Sequence, residues 1–403
     1  MRVLITTPSG LGHVLPMVPL AQAIQNRGHD VLWARGADAQ SWVAGAGLRT
    51  ITAGLNGQDA RQEFRRRNPE VRTLPAEQVR DLVFPRMFGG ISAPAMLADL
   101  LPVTKDWVPH LVVHDAAELA GPVIAAMVGV PSVTKSFGAL TPRHQVAAAG
   151  DEVAPLWRSV GREPPPYGGC YEHLYLDVYP PGLQPSLPGY IARSHPLRPV
   201  PYDVANAAAD ADIPLTQGSQ DLPLVYLTMG TAFNDASILR EIVAALAALN
   251  VRLLATLGPM GNPADLGAQT PKVQVERYVG QTLVLPLCEV VISHGGSGTM
   301  LQTLALGLPQ LCLPRAADTV PQRCGYCARG GRTGPCPRRG WRAGHRRRSH
   351  QAARRAFVPR VRHEAGPGDC PHARPRRRSS CIGRADVNIE PDHHQRLVRR
   401  AGR

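Results

Sequence analysis

Short apolar runs alternate along the chain with stretches in which apolar residues return every three or four positions, and this alternation predicts strand and helix in turn. Residues 3–7 form an apolar run followed by a Pro/Gly turn, and residues 14–27 then carry Val18, Ala21 and Ile24 at helical spacing. Gly28 stops that helix and residues 29–34 read as a second strand, which makes a β-α-β unit of the parallel-sheet kind. Further on, residues 111–113 read as a buried strand ending at His114 and Asp115, with a helix over 116–127. From Asp151 to about Gln220 the pattern fails, because Pro164, Pro165, Pro166, Pro180, Pro181 and Pro185 leave little room for helix, and this marks a domain edge and linker. The alternation then resumes, with strands at 222–229, 251–257, 273–278, 290–292 and 311–313 and helices at 238–249, 282–287 and 295–306. The pattern predicts two α/β halves of Rossmann-like build.

A length of 403 residues suits two domains rather than one core. Hydrophobic residues at 44% and aromatics at 5% fit a globular protein. The net charge of +14 would point to nucleic acid if it were spread evenly, but residues 319–403 hold 22 Arg, no Lys and five acidic residues, so the first 318 residues are close to neutral. Five of the eight cysteines also fall in that last stretch, and Cys170, Cys288 and Cys312 are too scattered for a disulfide framework. The N-terminus reads as a strand without an apolar leader, and no uninterrupted apolar run approaches the roughly 18 residues of a membrane helix. The expectation is a cytoplasmic enzyme without membrane attachment.

Three segments carry candidate chemistry. Gly10-Leu11-Gly12-His13 lies between the first strand and its helix, where open parallel sheets place ligands. Leu15 stands where a dinucleotide fingerprint would need its third glycine. On that loop His13 can take a proton from a bound hydroxyl, or it can merely cap or pack against the helix. Asp115 ends another strand of the same sheet, so its carboxylate can hold the far ring nitrogen of His13, with Glu118 as the fallback; alternatively Asp115 caps the helix at Ala116. The third segment, His294-Gly295-Gly296-Ser297-Gly298-Thr299, follows a strand and opens a helix, the arrangement of a phosphate site or of a tight glycine turn.

In this order the segments resemble the GT-B glycosyltransferases, in particular the actinomycete enzymes that decorate macrolides, enediynes and aromatic polyketides, over about residues 1–318. The resemblance implies two Rossmann-like domains facing each other across a cleft: an acceptor half at 1–205, a linker at 206–220 that supplies a hinge, and a nucleotide-sugar half at 221–318. It makes His13 the general base on the Gly10 and Gly12 loop, with Asp115 as its partner. Arg277-Tyr278-Val279-Gly280-Gln281 is similar to the family's W/Y-x-P-Q element, so Tyr278 stacks on the nucleotide base and Val279 meets its edge, while Gly280 in place of Pro loosens the loop. His294, Gly296, Ser297, Gly298, Thr299, Gly230 and Thr231 are implied diphosphate contacts, and Asp318 a sugar contact. Gln302 stands where relatives carry a ribose-binding Glu, which leaves uridine against thymidine open. The implied reaction is an inverting, metal-independent transfer of a deoxysugar from a TDP- or UDP-sugar to a hydroxyl of a small hydrophobic natural product. No cofactor and no metal are implied, and a homodimer is left open. The acceptor pocket is expected from apolar loops at 61–95 and 138–167.

The resemblance stops at Pro314-x-x-x-Asp318, where the family continues Gln-Phe and this chain reads Thr319-Val320. Beyond it come arginine runs without helical or strand period, a tail expected to lack order. Codons for the residues from Thr319 onward, read one base later, permit Gln-Phe-Leu-Asn-Ala-Ala, so a one-base insertion near codon 319 is the reading of the tail, with an incomplete donor half and a poorly active chain as its consequence. Two other functions compete. A nucleic-acid-binding tail would use Cys324-x-x-Cys327, but it has neither aromatic interleaving nor a second Cys/His pair. A nucleotide-sugar epimerase would share the architecture, and a non-catalytic auxiliary protein would not need His13.

Overall fold

A computed structural model describes residues 1–203, 221–230, 236–258 and 261–313. Thr231, Asp318, the linker at 206–220 and the tail at 319–403 lie outside the described residues.

Residues 1–203 build a seven-stranded parallel sheet from β1 (Arg2–Thr6), β2 (Asp30–Arg35), β3 (Arg49–Thr52), β4 (Leu111–Asp115), β5 (Ser132–Lys135), β6 (Leu174–Asp177) and β7 (Ser194–Pro196), in the order β3-β2-β1-β4-β5-β6-β7. The second half forms a five-stranded parallel sheet from β8 (Leu224–Thr228), β9 (Arg252–Thr256), β10 (Val273–Glu276), β11 (Val290–Ser293) and β12 (Gln310–Cys312), in the order β10-β9-β8-β11-β12. Strand order therefore reverses beside β1 in one sheet and beside β8 in the other, and a parallel sheet opens its ligand crevice at that reversal.

Helices cover both faces of the first sheet. Leu4, Leu32 and Val112 face a core shared with Met96, Leu100 and Ile124, whereas Val3, Ile5, Trp33 and Val113 face one shared with Val18 and Val43. The second sheet divides in the same way, Val225, Leu227 and Ile292 packing on Leu239 and Val243, and Tyr226, Leu254 and Val291 on Val284, Leu285 and Leu308. Consecutive residues thus enter opposite cores, and the strands read as continuous apolar runs. A small fifth cluster, Val178 and Tyr179 with Met300 and Leu301, joins the two halves, and the Tyr179 hydroxyl donates to the Met300 sulfur at 3.9 Å.

Four sequence expectations change. The helix expected over 14–27 is divided into Leu11–Val14, a 3-10 turn at Leu15–Met17 and Val18–Asn26, because Pro16 and Pro19 each withdraw a backbone donor. The helix after β4 begins at Ala120, four residues later than expected. The segment from Asp151 is no bare linker, since it completes a helix, Arg143–Ser159, that tolerates Pro155 internally, and then supplies β6 and β7. The supposed acceptor loops are helical over Gly57–Arg67, Val83–Ser92 and Ala93–Asp106, and the wide π turns of Val83–Ser92 bring Gly89 within 3.2 Å of the Ala149 carbonyl, measured from where a Cβ would stand. The helical run Gln78–Asp106 is long and apolar enough to cross a membrane, yet Phe84, Ile91, Met96, Leu97 and Leu100 are buried in this fold.

Ile5 is wholly buried at the centre of the first sheet. Ile5→Ala is expected to lower stability by about 2–5 kcal/mol, read from urea denaturation midpoints.

Candidate active site

The cleft lies between the carboxyl ends of the two sheets and encloses about 1180 Å³, lined from one side by the loop after β1 and from the other by the loops after β8 and β11. Gly10 takes φ 124, which only glycine adopts without strain, and turns the chain straight into the helical turn Leu11–Val14 that carries His13. A Cβ on Gly12 would meet nothing within 4 Å, so that position leaves space for a ligand.

His13 and Asp115 come together as expected: Nδ1 lies 3.1 Å from the Asp115 Oδ1, with the imidazole 17% exposed and the carboxylate 2%. The same Oδ1 accepts the Ala117 N–H at 2.8 Å. Asp115 therefore organises the turn after β4 while it contacts the imidazole, and it caps no helix at Ala116, because the helix starts only at Ala120. The ring also packs against Phe137, at 4.5 Å between centroids, and against Phe88, at 5.7 Å. Glu118 is committed elsewhere, its carboxylate accepting the N–H groups of Ala120 and Gly121 at 2.8 Å each and the Thr6 hydroxyl. Burial raises the Glu118 pKa.

Two further titratable groups stand behind the pair. His114 is fully buried, its Nδ1 facing the Asp115 and Glu118 carbonyls at 3.0 and 2.8 Å and its Nε2 2.8 Å from the Thr134 hydroxyl. Both carbonyls accept, so Nδ1 carries the proton and the Thr134 hydroxyl donates to Nε2; burial takes the pKa down to about 4. Lys135 lines the cleft from β5 with its Nζ 3.0 Å from the Ser136 carbonyl. Neither residue was singled out from the sequence, although a lysine inside the run Ser132-Val133-Thr134-Lys135 was a legible signal.

Across the cleft, the helix Ser297–Ala305 starts at Gly296 without a side-chain cap, and Gly296, Ser297, Gly298 and Thr299 line the cleft. The His294 ring sits against two glycines. A Cβ on Gly230, where φ is 79, would lie 2.5 Å from His294 Cε1, and a Cβ on Gly296 would lie 2.5 Å from Nε2. Both glycines are therefore packing requirements as well as phosphate candidates. The Gln281 amide donates to the Thr299 hydroxyl at 2.9 Å. The hydroxyl oxygen is the acceptor in that contact, so its own proton is not used there.

Tyr278 and Val279 line the cleft too. The Tyr278 hydroxyl donates to Asp203 at 3.2 Å and its ring meets Trp42 of the first half edge-on at 5.5 Å. Asp203 also accepts the Thr282 N–H at 2.6 Å. Nothing in the local sequence signals this role, which spans 75 residues. Gly280 has φ −58, the value a proline ring would impose, so the turn keeps the geometry that proline would set. Gln302 lines the same wall. Among the described residues no three His, Cys, Asp or Glu gather as a metal site.

The model of the erythromycin biosynthesis protein CIII-like N-terminal domain matches residues 22–205, and that of the corresponding C-terminal domain matches 240–331, past Asp318. The elloramycin glycosyltransferase ElmGT of Streptomyces olivaceus is 33% identical over 334 residues, spanning 79% of this chain and 81% of the relative. The chain belongs to this glycosyltransferase family. A second member, the L-demethylnoviosyl transferase of Streptomyces niveus, is 33% identical over 328 residues, covering 79% of this chain and 80% of its own. Among solved GT-B structures, SsfS6 of Streptomyces sp. SF2575 with thymidine diphosphate aligns at TM-score 0.66 and 26% identity over 82% of this chain and 86% of its own. The spinosyn rhamnosyltransferase SpnG, solved with thymidine diphosphate, aligns at TM-score 0.63 and 26% identity over 82% and 85%. The two parallel sheets are those of the GT-B fold, and the family comprises natural-product deoxysugar glycosyltransferases that use a nucleotide sugar as co-substrate.

The buried neutral His114 has a consequence for acid stability. The unfolded chain takes up a proton there near pH 6.5 and the folded chain only near pH 4. Stability from this residue is therefore complete above pH 6.5 and falls as the pH drops toward 4, by at most about 3 kcal/mol. His114→Gln is expected to flatten the fall in urea midpoint between pH 7 and pH 5.

Proposed function

We propose that this glycosyltransferase transfers a deoxysugar from a TDP-sugar, with UDP as the alternative nucleotide, to a hydroxyl of a small hydrophobic natural product, inverting the anomeric centre in one displacement. The carrying observation is the His13–Asp115 contact at the mouth of an apolar cleft. With its proton on Nδ1 and directed at Asp115, the imidazole is basic at Nε2, and the carboxylate stabilises the imidazolium that forms when a hydroxyl proton is taken. The acceptor oxygen then attacks the anomeric carbon from the face opposite the departing diphosphate. The uncapped start of Ser297–Ala305, with His294, Gly230 and the Thr299 hydroxyl, suits the negative charge that develops on the diphosphate without calling on a metal. Tyr278 and Val279 are the base contacts in this reading, and Thr231 and Asp318 complete the phosphate and sugar contacts.

TDP carries the preference because SsfS6 and SpnG were solved with thymidine diphosphate, and SpnG also with spinosyn aglycone. Phe84, Met87, Phe88 and Phe137 give the acceptor side an apolar wall of matching character. The domain division at 1–205 and 221–318, a cytoplasmic setting and the frame change near codon 319 belong to the same reading. Resequencing the DNA checks the last of these, and an intact frame without a plausible +1 continuation overturns it.

His13→Ala is expected to lower kcat by about 10²–10⁴-fold while thymidine diphosphate still binds, measured by product mass spectrometry and by calorimetry. Wild-type turnover in that variant would remove His13 as the base. Sugar product formed from the donor without any acceptor would instead indicate epimerase chemistry. Gly296→Ala, which forces His294 to move, is expected to weaken thymidine diphosphate binding about tenfold or more, and unaltered affinity would show that His294 does not hold the phosphates.

A further inference from the structure

Lys135 ends β5 directly across the ladder from Asp115, so both side chains leave the same face of the sheet. It is 2% exposed, and its Nζ donates to the neutral Ser136 carbonyl. A buried ammonium with only a carbonyl acceptor is costly unless a counter-charge stands close. Asp115, its ladder neighbour, acts on it as that charge through space, and Lys135 lines the cleft that His13 enters. Burial pulls the Lys135 pKa down to about 8 while Asp115 holds it up, so the ammonium form prevails at neutral pH.

A carboxylate whose only charged neighbour was His13 would draw a proton onto the imidazole, and an imidazole that is already protonated accepts nothing. With Lys135 charged, the Asp115–Lys135 pair is neutral, and protonating His13 would add a net charge to a poorly solvated site. We propose that Lys135 is a positioning residue that neutralises Asp115 and so keeps His13 in its unprotonated, proton-accepting form at neutral pH. This inference rests on the reading of His13 as the base.

The other titratable groups around the cluster are common to every variant compared below. Glu118 is tied to Thr6 and to the start of its helix, and His114 is held by two carbonyls. On β6, Asp177 accepts the Tyr179 N–H and the Gln184 amide, and burial raises both its pKa and that of Tyr175. Burial also raises Cys170 to about 12. Arg61, Arg65, Arg80 and Arg198 line the cleft from the first half, and Tyr202, Asp203, Tyr226, Tyr278 and His294 complete its titratable lining.

The test uses the full chain with Lys135→Met, Lys135→Gln, Asp115→Asn and the double variant Lys135→Met/Asp115→Asn. Histidine labelled with ¹³C at Cε1 reports the His13 titration by NMR, the signal being assigned by its loss in His13→Asn. Both single Lys135 variants are expected to raise the His13 midpoint by about one pH unit or more. The acid limb of kcat/KM moves with it, giving about a tenfold loss at the foot of that limb and none on the alkaline plateau. In the Asp115→Asn background the same change produces no upward shift. An unmoved His13 midpoint in both single variants overturns the proposal, as does a raised acceptor KM with an unmoved midpoint, which would make Lys135 a substrate contact. A shifted midpoint that the rate does not follow leaves the role of Lys135 standing and removes His13 as the base. Should Lys135→Met fail to fold, Lys135→Gln, which keeps a donor for the Ser136 carbonyl, carries the test alone and with Asp115→Asn.

Discussion

Parallel pairing between β1 and β4 is the constraint from which the first half of the cleft follows. Because Thr6 lies opposite His114, the loop that leaves β1 and the turn that leaves β4 emerge side by side, and a contact across 102 residues of sequence forms at 3.1 Å. Pairing of β4 with β5 extends the same logic to Lys135. A one-residue slip in either ladder would send these side chains to the opposite face. The alternating burial of Leu4 and Ile5, or of Val112 and Val113, in two separate apolar cores opposes such a slip. The polar contacts at the rim are thus held in register by hydrophobic residues that do not line the cleft.

The turn between β4 and its helix concentrates the cost of that arrangement. His114, Asp115 and Glu118 are all buried, and each is satisfied by backbone groups of the turn itself or by Thr6 and Thr134. Gly121 is part of the solution, because a Cβ there would lie 2.7 Å from the Thr6 hydroxyl and 2.8 Å from the His114 Cβ. Buried polar networks of this kind hold a single geometry only when fully bonded. Here that geometry presents one carboxylate oxygen to His13 and withholds Glu118 from it.

Much of this was legible in the sequence because its signals are local. The strand runs, the Gly10 and Gly295 turns, and the positions of His13, Asp115 and His294 at strand ends follow from period, punctuation and topology. The helix start after Asp115 was misplaced, and the helices inside 61–95 were read as loops, because tertiary packing decided both: the carboxylates of Asp115 and Glu118 delay the first, and Gly89 packs against Ala149 in the second. Asp203 was invisible for a different reason. Its two partners, Tyr278 and Thr282, lie in the other half of the molecule.

The glycines of the second half show why a phosphate motif and a packing motif are hard to tell apart on paper. Gly230 and Gly296 come from the loops after β8 and β11, adjacent strands whose Thr228 and Ser293 are paired. The His294 ring fills the space that a side chain at either glycine would take. Bare backbone on both sides therefore admits the imidazole at the foot of Ser297–Ala305, a helix start that has no side-chain cap. The two halves place their cleft histidines by opposite means. His13 is held by a charge on the neighbouring strand, whereas the His294 ring occupies room left by Gly230 and Gly296, so a change of charge threatens the first and a single added methyl group the second.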